Sequence, residues 1–193
     1  MRSICVFCGS RPGTDVSYAD AARSLGTTLA AKEITLVYGG AHVGLMGTLA
    51  DAAIKAGGEV VGVMPRALVE REISHEDLTK LHIVGSMHER KALMAGLSDG
   101  FVALPGGTGT LEEFFEVLTW AQLGEHGKPC GLLNVSNYYD PLLNLFDHMV
   151  EKGFVSKEHR AMVLVESEPA DLLDAFSRYA PPRVPKWIGS SET

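Results

Sequence analysis

The chain has 193 residues, of which 46% are hydrophobic and 21% are charged, and this composition excludes a disordered or fibrous protein. Acidic residues outnumber basic ones by 24 to 17, and a chain with a net charge of −7 and no Lys/Arg cluster is a poor binder of nucleic acid or of membrane surfaces. No apolar run is long enough to span a membrane, and the first one is too short for a signal peptide, so we expect a cytoplasmic protein.

Short apolar runs alternate with longer helical patterns along the chain. We expect strands at 4–8, 34–38, 60–64, 81–84, 100–104, 129–134 and 162–165, and helices at 17–32, 44–56, 87–98, 110–123, 140–152 and 169–179. This alternation predicts an α/β fold with one doubly wound parallel sheet and helices on both faces. We assign residues 1–180 to this single domain and 181–193 to a proline-rich tail, which we expect to be extended and partly disordered.

The three cysteines do not form a recognisable metal or redox motif. Cys5 and Cys8 have the spacing of a redox pair or of half a zinc site, but no second such pair follows in the sequence. Side chains three positions apart on a strand point to opposite faces. We therefore interpret them as buried cysteines of a parallel strand, and we expect neither a metal nor a cofactor.

Three glycine-rich loops follow predicted strands. They are Cys8-Gly9-Ser10 after the first strand, Tyr38 to Gly44 after the second and Pro105 to Thr110 after the fifth. Ligands of doubly wound sheets bind at this edge, so we expect the loops to face one crevice. One such loop is explained by tight turns that need a positive φ, whereas several at strand ends indicate a nucleotide-sized ligand.

The third loop, PGGTGTLEE at 105–113, leads directly into a helical pattern. The dinucleotide fingerprint G-x-G-x-x-G is absent, and so is the lysine of a Walker loop, which argues against a nicotinamide dinucleotide and a nucleoside triphosphate. A glycine loop at a helix N-terminus suits a monophosphate, because backbone amides and the helix dipole attract the anion. Thr108 and Thr110 can add hydroxyl donors.

Charged residues near these loops have more than one interpretation. Glu113 stands in the pattern T-x-x-E with Thr110, and on this pattern alone a capping box is favoured over catalysis. Arg90 and Lys91 lie near the start of the helix that begins at Met87, where cations oppose the helix dipole and require an anionic partner. A surface salt bridge explains them equally well.

In combination, these segments resemble the Lonely Guy family. PGGTGTLEE fits the family's P-G-G-x-G-T-x-x-E motif, and MHERKALM at 87–94 resembles its M-x-x-R-K segment. YGGAHVGLMG at 38–47 resembles Y-G-G-G-x-x-G-L-M-G, with Ala41 in place of a third glycine, and 119–143 is similar to the family's stretch after the loop. The resemblance extends from residue 2 to residue 179.

The resemblance implies a Rossmann-like fold, usually as a homodimer. It also implies hydrolysis of the N-glycosidic bond of a nucleoside 5′-monophosphate, such as AMP or an N6-modified cytokinin precursor, to a free base and ribose 5-phosphate. By analogy Arg90 and Glu113 form the catalytic pair. The motifs and the crevice loops together predict these substrate-binding residues: Gly9, Ser10, Gly39, Gly40, Met87, Arg90, Lys91, Gly106, Gly107, Thr108, Gly109, Thr110 and Glu113.

Other functions stay open at this point. A broad nucleoside monophosphate nucleosidase would share all of these motifs. A non-catalytic nucleotide or cofactor carrier, such as the molybdenum cofactor carriers of this fold class, would need no carboxylate at position 113. Many family members have been labelled lysine decarboxylases, but the sequence shows no recognisable pyridoxal-phosphate lysine context.

The helix that follows the third loop is apolar around much of its circumference. Its apolar residues are Leu111, Phe114, Phe115, Val117, Leu118, Trp120 and Leu123. Such a helix should be buried on more than one side. One side faces the sheet, and we expect the other to face a second copy of the chain.

Overall fold

Seven apolar runs form one parallel sheet in the computed structural model, which describes residues 1–69 and 74–182. The strands are β1 (Ser3–Phe7), β2 (Thr35–Tyr38), β3 (Val60–Pro65), β4 (Lys80–Val84), β5 (Phe101–Ala103), β6 (Cys130–Leu133) and β7 (Val163–Glu166). They lie in the order β4-β3-β2-β1-β5-β6-β7, and all neighbours are parallel. The strand order reverses between β1 and β5, which is where ligands of such sheets bind.

Helices cover both faces of this sheet, which confirms the predicted α/β architecture. The helices are α1 (Val16–Ala31), α2 (Gly44–Lys55), α3 (Arg66–Val69), α4 (Met87–Gly96), α5 (Thr108–Gln122), α6 (Asp140–Glu151), α7 (Lys157–Ala161) and α8 (Pro169–Arg178). Buried residues of α1, α2 and α8 share one core cluster, and those of α4, α5 and α6 share the other. The short helices α3 and α7 were not predicted, because four or five residues carry too little periodicity.

Alternation along the central strand divides the core into these two clusters. Ile4 and Val6 of β1 pack with the first cluster, whereas Cys5 and Phe7 pack with the second. Cys5 and Cys8 consequently lie in different clusters, as the alternation of side chains predicts. Both are buried free thiols, and burial raises the pKa of each above its ordinary value.

Most of the proline-rich tail lies outside the described residues. Residues 183–193 and 70–73 are not part of the description, so the expectation for the tail stays a prediction. Within residues 1–69 and 74–182, no helix is long and apolar enough to cross a membrane.

Candidate active site

The three predicted loops meet at the carboxyl edge of the sheet. The Gly9 N–H donates a hydrogen bond to the Pro105 carbonyl at 3.1 Å, and the Leu45 N–H donates to the Gly9 carbonyl at 3.0 Å. The loop after β1 is therefore bonded to the loop after β5 and to the first turn of α2, which follows the second loop. The loops therefore lie beside one another at the point where strand order reverses.

A cleft of about 380 Å³ opens where the loops meet. Its lining residues are Gly9, Ser10, Arg11, Pro12, Gly13, Tyr18, Leu45, Pro105, Gly106, Gly107 and Tyr138. This volume lies in the range of small-molecule sites. A larger cavity of about 470 Å³, lined by residues of α1 and α2, contains none of the predicted site residues.

Two of the loop glycines are not required by the fold. A Cβ atom added to Gly107 or Gly109 would meet no protein atom within 4 Å, and neither residue has a positive φ. Gly106 is different, because a Cβ atom there would overlap with the hydroxyl oxygen of the buried Thr110. Bare backbone at 107 and 109 lets a ligand approach the amides closely, and Thr108 beside them is exposed.

The N-terminus of α5 carries no side-chain cap. The helix begins at Thr108, and its N-cap residue is Gly107, which has no side chain to accept a hydrogen bond. The capping-box interpretation of Thr110 and Glu113 is therefore wrong, since both residues lie inside the helix. The first N–H groups of α5 have no partner within the helix and suit an anion.

Arg90 and Glu113 form a nearly buried ion pair. Arg90 Nη1 lies 3.5 Å from Glu113 Oε1, and each side chain is 12% exposed. Arg90 Nε donates to the Val63 carbonyl at 3.1 Å, and Nη1 contacts the Met87 sulfur at 3.8 Å. A Cβ atom at Gly39 would overlap with Nη2 of Arg90, so glycine at this position makes room for the guanidinium.

The surroundings of Glu113 act on its pKa in opposite directions. Burial raises the pKa of the carboxyl above its ordinary value, and the Arg90 guanidinium acts to lower it. A carboxyl group with a pKa perturbed by burial and by one specific charge partner is typical of functional sites. Glu113 lies in the second turn of α5, just beyond the uncapped amides.

Lys91 points toward helix α5. Its side chain is 9% exposed, and its ammonium forms a hydrogen-bonded ion pair with Glu112 and lies 3.1 Å from Glu116 Oε1. The hydrogen bond from Lys91 to Glu112 raises the lysine pKa. Together with Arg90 and Glu113, these ion pairs join the start of α4 to α5. They supply the anionic partners that cations near a helix N-terminus require.

The loop after β2 contains Gly40, a further predicted residue, and Ala41, where the chain departs from the family motif. Gly40 has a φ of 83°, which favours glycine, and its carbonyl accepts a hydrogen bond from the His75 N–H at 3.1 Å. Ala41, which replaces a glycine of the family motif, is 1% exposed. Its methyl group is therefore inside the protein, where a glycine is not needed to admit a ligand.

The aromatic wall of the cleft, formed by Tyr18 and Tyr138, was not predicted from the sequence. The Tyr138 hydroxyl donates to the Gly106 carbonyl at 2.5 Å, and the Tyr138 ring packs edge-on against Tyr18 with centroids 5.6 Å apart. Tyr138 follows β6, so it belongs to the same sheet edge as the glycine loops. This position could have been used to predict Tyr138, because the loop after a strand close to the switch point is also expected at the ligand site.

Comparisons with known proteins place the chain among enzymes. A family model described as "possible lysine decarboxylase" matches residues 46–176. The chain is 53% identical over 165 residues to the cytokinin riboside 5′-monophosphate phosphoribohydrolase of Rhodococcoides fascians, covering 85% of this chain and 83% of that protein. It is 50% identical over 180 residues to a cytokinin riboside 5′-monophosphate phosphoribohydrolase of Arabidopsis thaliana, covering 93% and 84%.

Solved structures with the same fold are more distant. The molybdenum cofactor carrier protein of Chlamydomonas reinhardtii has a TM-score of 0.69 at 21% identity, with 92% of this chain and 96% of that chain covered. The molybdenum cofactor binding protein of Rippkaea orientalis has a TM-score of 0.68 at 21% identity, with 92% and 97% covered. These likenesses show the fold alone, whereas about half of the aligned residues are identical in the enzymes. The chain therefore belongs to the Lonely Guy family, the family of the cytokinin riboside 5′-monophosphate phosphoribohydrolases.

Proposed function

We propose that this protein hydrolyses the N-glycosidic bond of adenosine 5′-monophosphates, with AMP or an N6-modified cytokinin precursor as substrate. The products are the free base and ribose 5-phosphate. One observation carries the proposal: the nearly buried Arg90–Glu113 pair lies just beyond an uncapped helix N-terminus that carries bare glycines. The names of the relatives that are about half identical support the same activity.

The phosphate serves as an anchor and does not react. The amides from Gly106 to Thr110 bind it, with the loops at Gly9 and Gly39 completing the crevice around the nucleotide. Anchoring a group remote from the reacting bond supplies binding energy that orients that bond. Glu113 lies six residues beyond Gly107, which is about 9 Å along a helix. A phosphate on the amides and a ribose toward Glu113 fit this separation.

Glu113 acts on the sugar. Cleavage of the bond between C1′ and the base nitrogen develops positive charge on the ribose, as in other glycoside hydrolyses. The Glu113 carboxylate stabilises that charge or orients the attacking water. The hydroxyl of water forms the new bond to C1′ as the bond to the base breaks, and the second proton of the water is transferred to the departing base.

Arg90 supports the ionised form of Glu113. Its guanidinium opposes the effect of burial on the Glu113 pKa, so the carboxylate carries its charge at a lower pH than burial alone would allow. Three contacts hold the guanidinium in place, through Val63, Met87 and Glu113. A non-catalytic carrier would need no such carboxylate, and the carrier structures are only 21% identical, so this alternative has less support.

The substrate assay tests the reaction. We expect release of base from AMP and from isopentenyladenosine monophosphate, and much slower release from the two unphosphorylated nucleosides, because the glycine loop has nothing to bind without the phosphate. Chromatography of the free base measures all four rates and ranks a cytokinin precursor against AMP. Equal rates on nucleoside and nucleotide would contradict the anchoring role, and release of cadaverine from lysine would contradict the proposal as a whole.

We further propose that the protein is a cytoplasmic homodimer. Helices α4 to α6 and the residues directly after them expose several large apolar side chains on one side of the sheet: Met87, Leu97, Leu123, Leu145 and Phe154. A second copy of the chain would cover part of this surface. The three buried free thiols suit the reducing conditions of the cytoplasm.

Sedimentation tests the association. We expect a mass of twice the 20.7 kDa chain mass at micromolar concentration. Replacing the exposed Leu123 of this surface with a charged residue should shift the equilibrium toward the monomer, whereas the same change at the exposed Val16 on the opposite side of the sheet should not. A 20.7 kDa species in the unaltered protein would refute the dimer.

A further inference from the structure

The backbone carbonyls that lead from β5 into α5 are all occupied. Four successive carbonyls accept hydrogen bonds, and their donors come from three different segments of the chain. The bonds are Tyr139 hydroxyl to Leu104 at 2.6 Å, Gly9 N–H to Pro105 at 3.1 Å, Tyr138 hydroxyl to Gly106 at 2.5 Å and Leu111 N–H to Gly107 at 3.2 Å. Each carbonyl is thereby directed at the protein and away from an anion.

A trans peptide group directs its C=O and its N–H to opposite sides. The bond from the Tyr138 hydroxyl therefore determines the direction of the Gly107 N–H as well as that of the Gly106 carbonyl. With this bond in place, the Gly107 N–H points away from Tyr138 and belongs with the unpaired amides at the start of α5. The tyrosine thus acts on an anion donor through the orientation of this peptide.

This particular peptide needs an external restraint. It joins Gly106 to Gly107, and glycine residues adopt positive and negative φ with similar ease, so neither side resists rotation of the peptide plane. A Cβ atom at Gly107 would meet no neighbour within 4 Å, so packing does not restrain the Gly107 side of the peptide, whereas Gly106 lies against Thr110. A rotated peptide would present the Gly106 carbonyl to the phosphate and repel it.

We propose that Tyr138 is a positioning residue of the phosphate site, whose hydroxyl holds the Gly106–Gly107 peptide with its N–H available to the substrate phosphate. The proposal rests on the proposed function, because it takes the amides of this loop as the phosphate site. Tyr138 is well placed for the role, since its ring packs against Tyr18 and lies 5.0 Å, centroid to centroid, from the Tyr139 ring. Removing only the hydroxyl should leave the ring where it is.

The neighbouring tyrosine provides a matched control. The Tyr139 hydroxyl also donates to a loop carbonyl, that of Leu104, but the next residue is Pro105, whose nitrogen carries no hydrogen. No amide donor is directed by this bond. Tyr139 is also 1% exposed, whereas Tyr138 is 39% exposed. Loss of the Tyr139 hydroxyl should therefore cost more stability, while loss of the Tyr138 hydroxyl should cost more anion affinity.

The test compares Tyr138→Phe with Tyr139→Phe in the full-length chain. Inorganic phosphate binding is measured by calorimetry, KM and kcat are measured with AMP, and melting temperatures are recorded. For Tyr138→Phe we expect the phosphate Kd and the KM for AMP to rise by about tenfold with kcat little changed, which is the scale of one hydrogen bond. For Tyr139→Phe we expect phosphate affinity within about twofold of the unaltered protein and a lower melting temperature.

Several outcomes would overturn the proposal. Unchanged phosphate affinity in Tyr138→Phe, an equal loss of affinity in Tyr139→Phe, or a fall in kcat without a change in KM would each do so. Failure of the unaltered protein to bind phosphate at all would remove the site on which the proposal rests. If phosphate binds as expected but no nucleotide is cleaved, the proposed function fails while the positioning role of Tyr138 stands.

Discussion

Replacing Glu113 with glutamine should lower kcat by roughly a hundredfold or more, which is the scale of a lost electrostatic or general-base group. Glutamine matches glutamate in size and can still accept a hydrogen bond from Arg90, but it carries no charge to oppose the cation that develops at C1′. The measurement is kcat at saturating nucleotide. Melting temperatures recorded alongside should show that the protein remains folded.

A second ion pair of the same type supplies the control. Arg160 Nε lies 2.7 Å from Asp147 Oδ1 at the junction of α6 and α7, away from the glycine loops. Asp147→Asn should therefore leave kcat unchanged. A folded Glu113→Gln protein with near-normal turnover would show that the carboxylate at 113 is structural and that the catalytic group lies elsewhere.

The same substitution has a pH-dependent effect on stability. Burial raises the native-state pKa of Glu113 above its unfolded value. Such a carboxyl group binds its proton more tightly in the native state than in the unfolded state, so the free energy of unfolding falls as pH rises from the unfolded pKa through the native-state pKa. Glutamine does not titrate. The stability of Glu113→Gln should therefore improve relative to the unaltered protein as pH rises between these two pKa values, although its activity is lost.

Replacing Arg90 with methionine should lower kcat roughly a hundredfold at neutral pH, the scale of one lost electrostatic contact in a site. It should also move the acid limb of the kcat profile. Activity requires ionised Glu113, so kcat falls as pH drops through the pKa of that group. Arg90 acts to lower this pKa against the effect of burial, so its removal should shift the limb to higher pH. The measurement is kcat from acid to neutral pH at saturating nucleotide.

The substrate phosphate also titrates, with a second pKa of about 6. Titration of the phosphate contributes to the kcat profile of both proteins, so an acid limb that moves in Arg90→Met belongs to Glu113. Arg160→Met removes the comparable guanidinium of the α6–α7 pair and should leave the profile unchanged. An acid limb that stays in place in Arg90→Met would mean that Glu113 is not the group whose ionisation controls turnover.

The fold and the site loops were predictable because their signals are local. Strand and helix periods alternate within a few residues of one another, so all seven strands and the six long helices were found close to their observed positions. The glycine loops were also visible, since a ligand site at the carboxyl edge of a parallel sheet needs bare backbone there. The motif combination identified the family for the same reason, because each motif is a short contiguous segment.

Helix capping shows where a local signal fails. The pattern T-x-x-E at Thr110 is typical of a helix start, but Thr110 is buried with its hydroxyl oxygen against Gly106. Residues 108 and 109 already belong to the first turn, so the helix begins two residues before Thr110 and Glu113 lies in its second turn. This contact of Thr110 with the preceding loop is a tertiary feature, and no pattern within the helix reports it.

The sequence alone determined the order of elements, the positions of the glycine loops and the residue types available to the site, because these depend on neighbours in the chain. Tertiary structure alone decided which charged side chains form ion pairs and which loop carbonyls accept hydrogen bonds from tyrosine hydroxyls. Arg90 meets Glu113, and Lys91 meets Glu112 and Glu116, only because α4 and α5 follow different strands and pack on the same face of the sheet. Tyr138 reaches Gly106 because β5 and β6 are adjacent and parallel, so the loops that follow them share one edge.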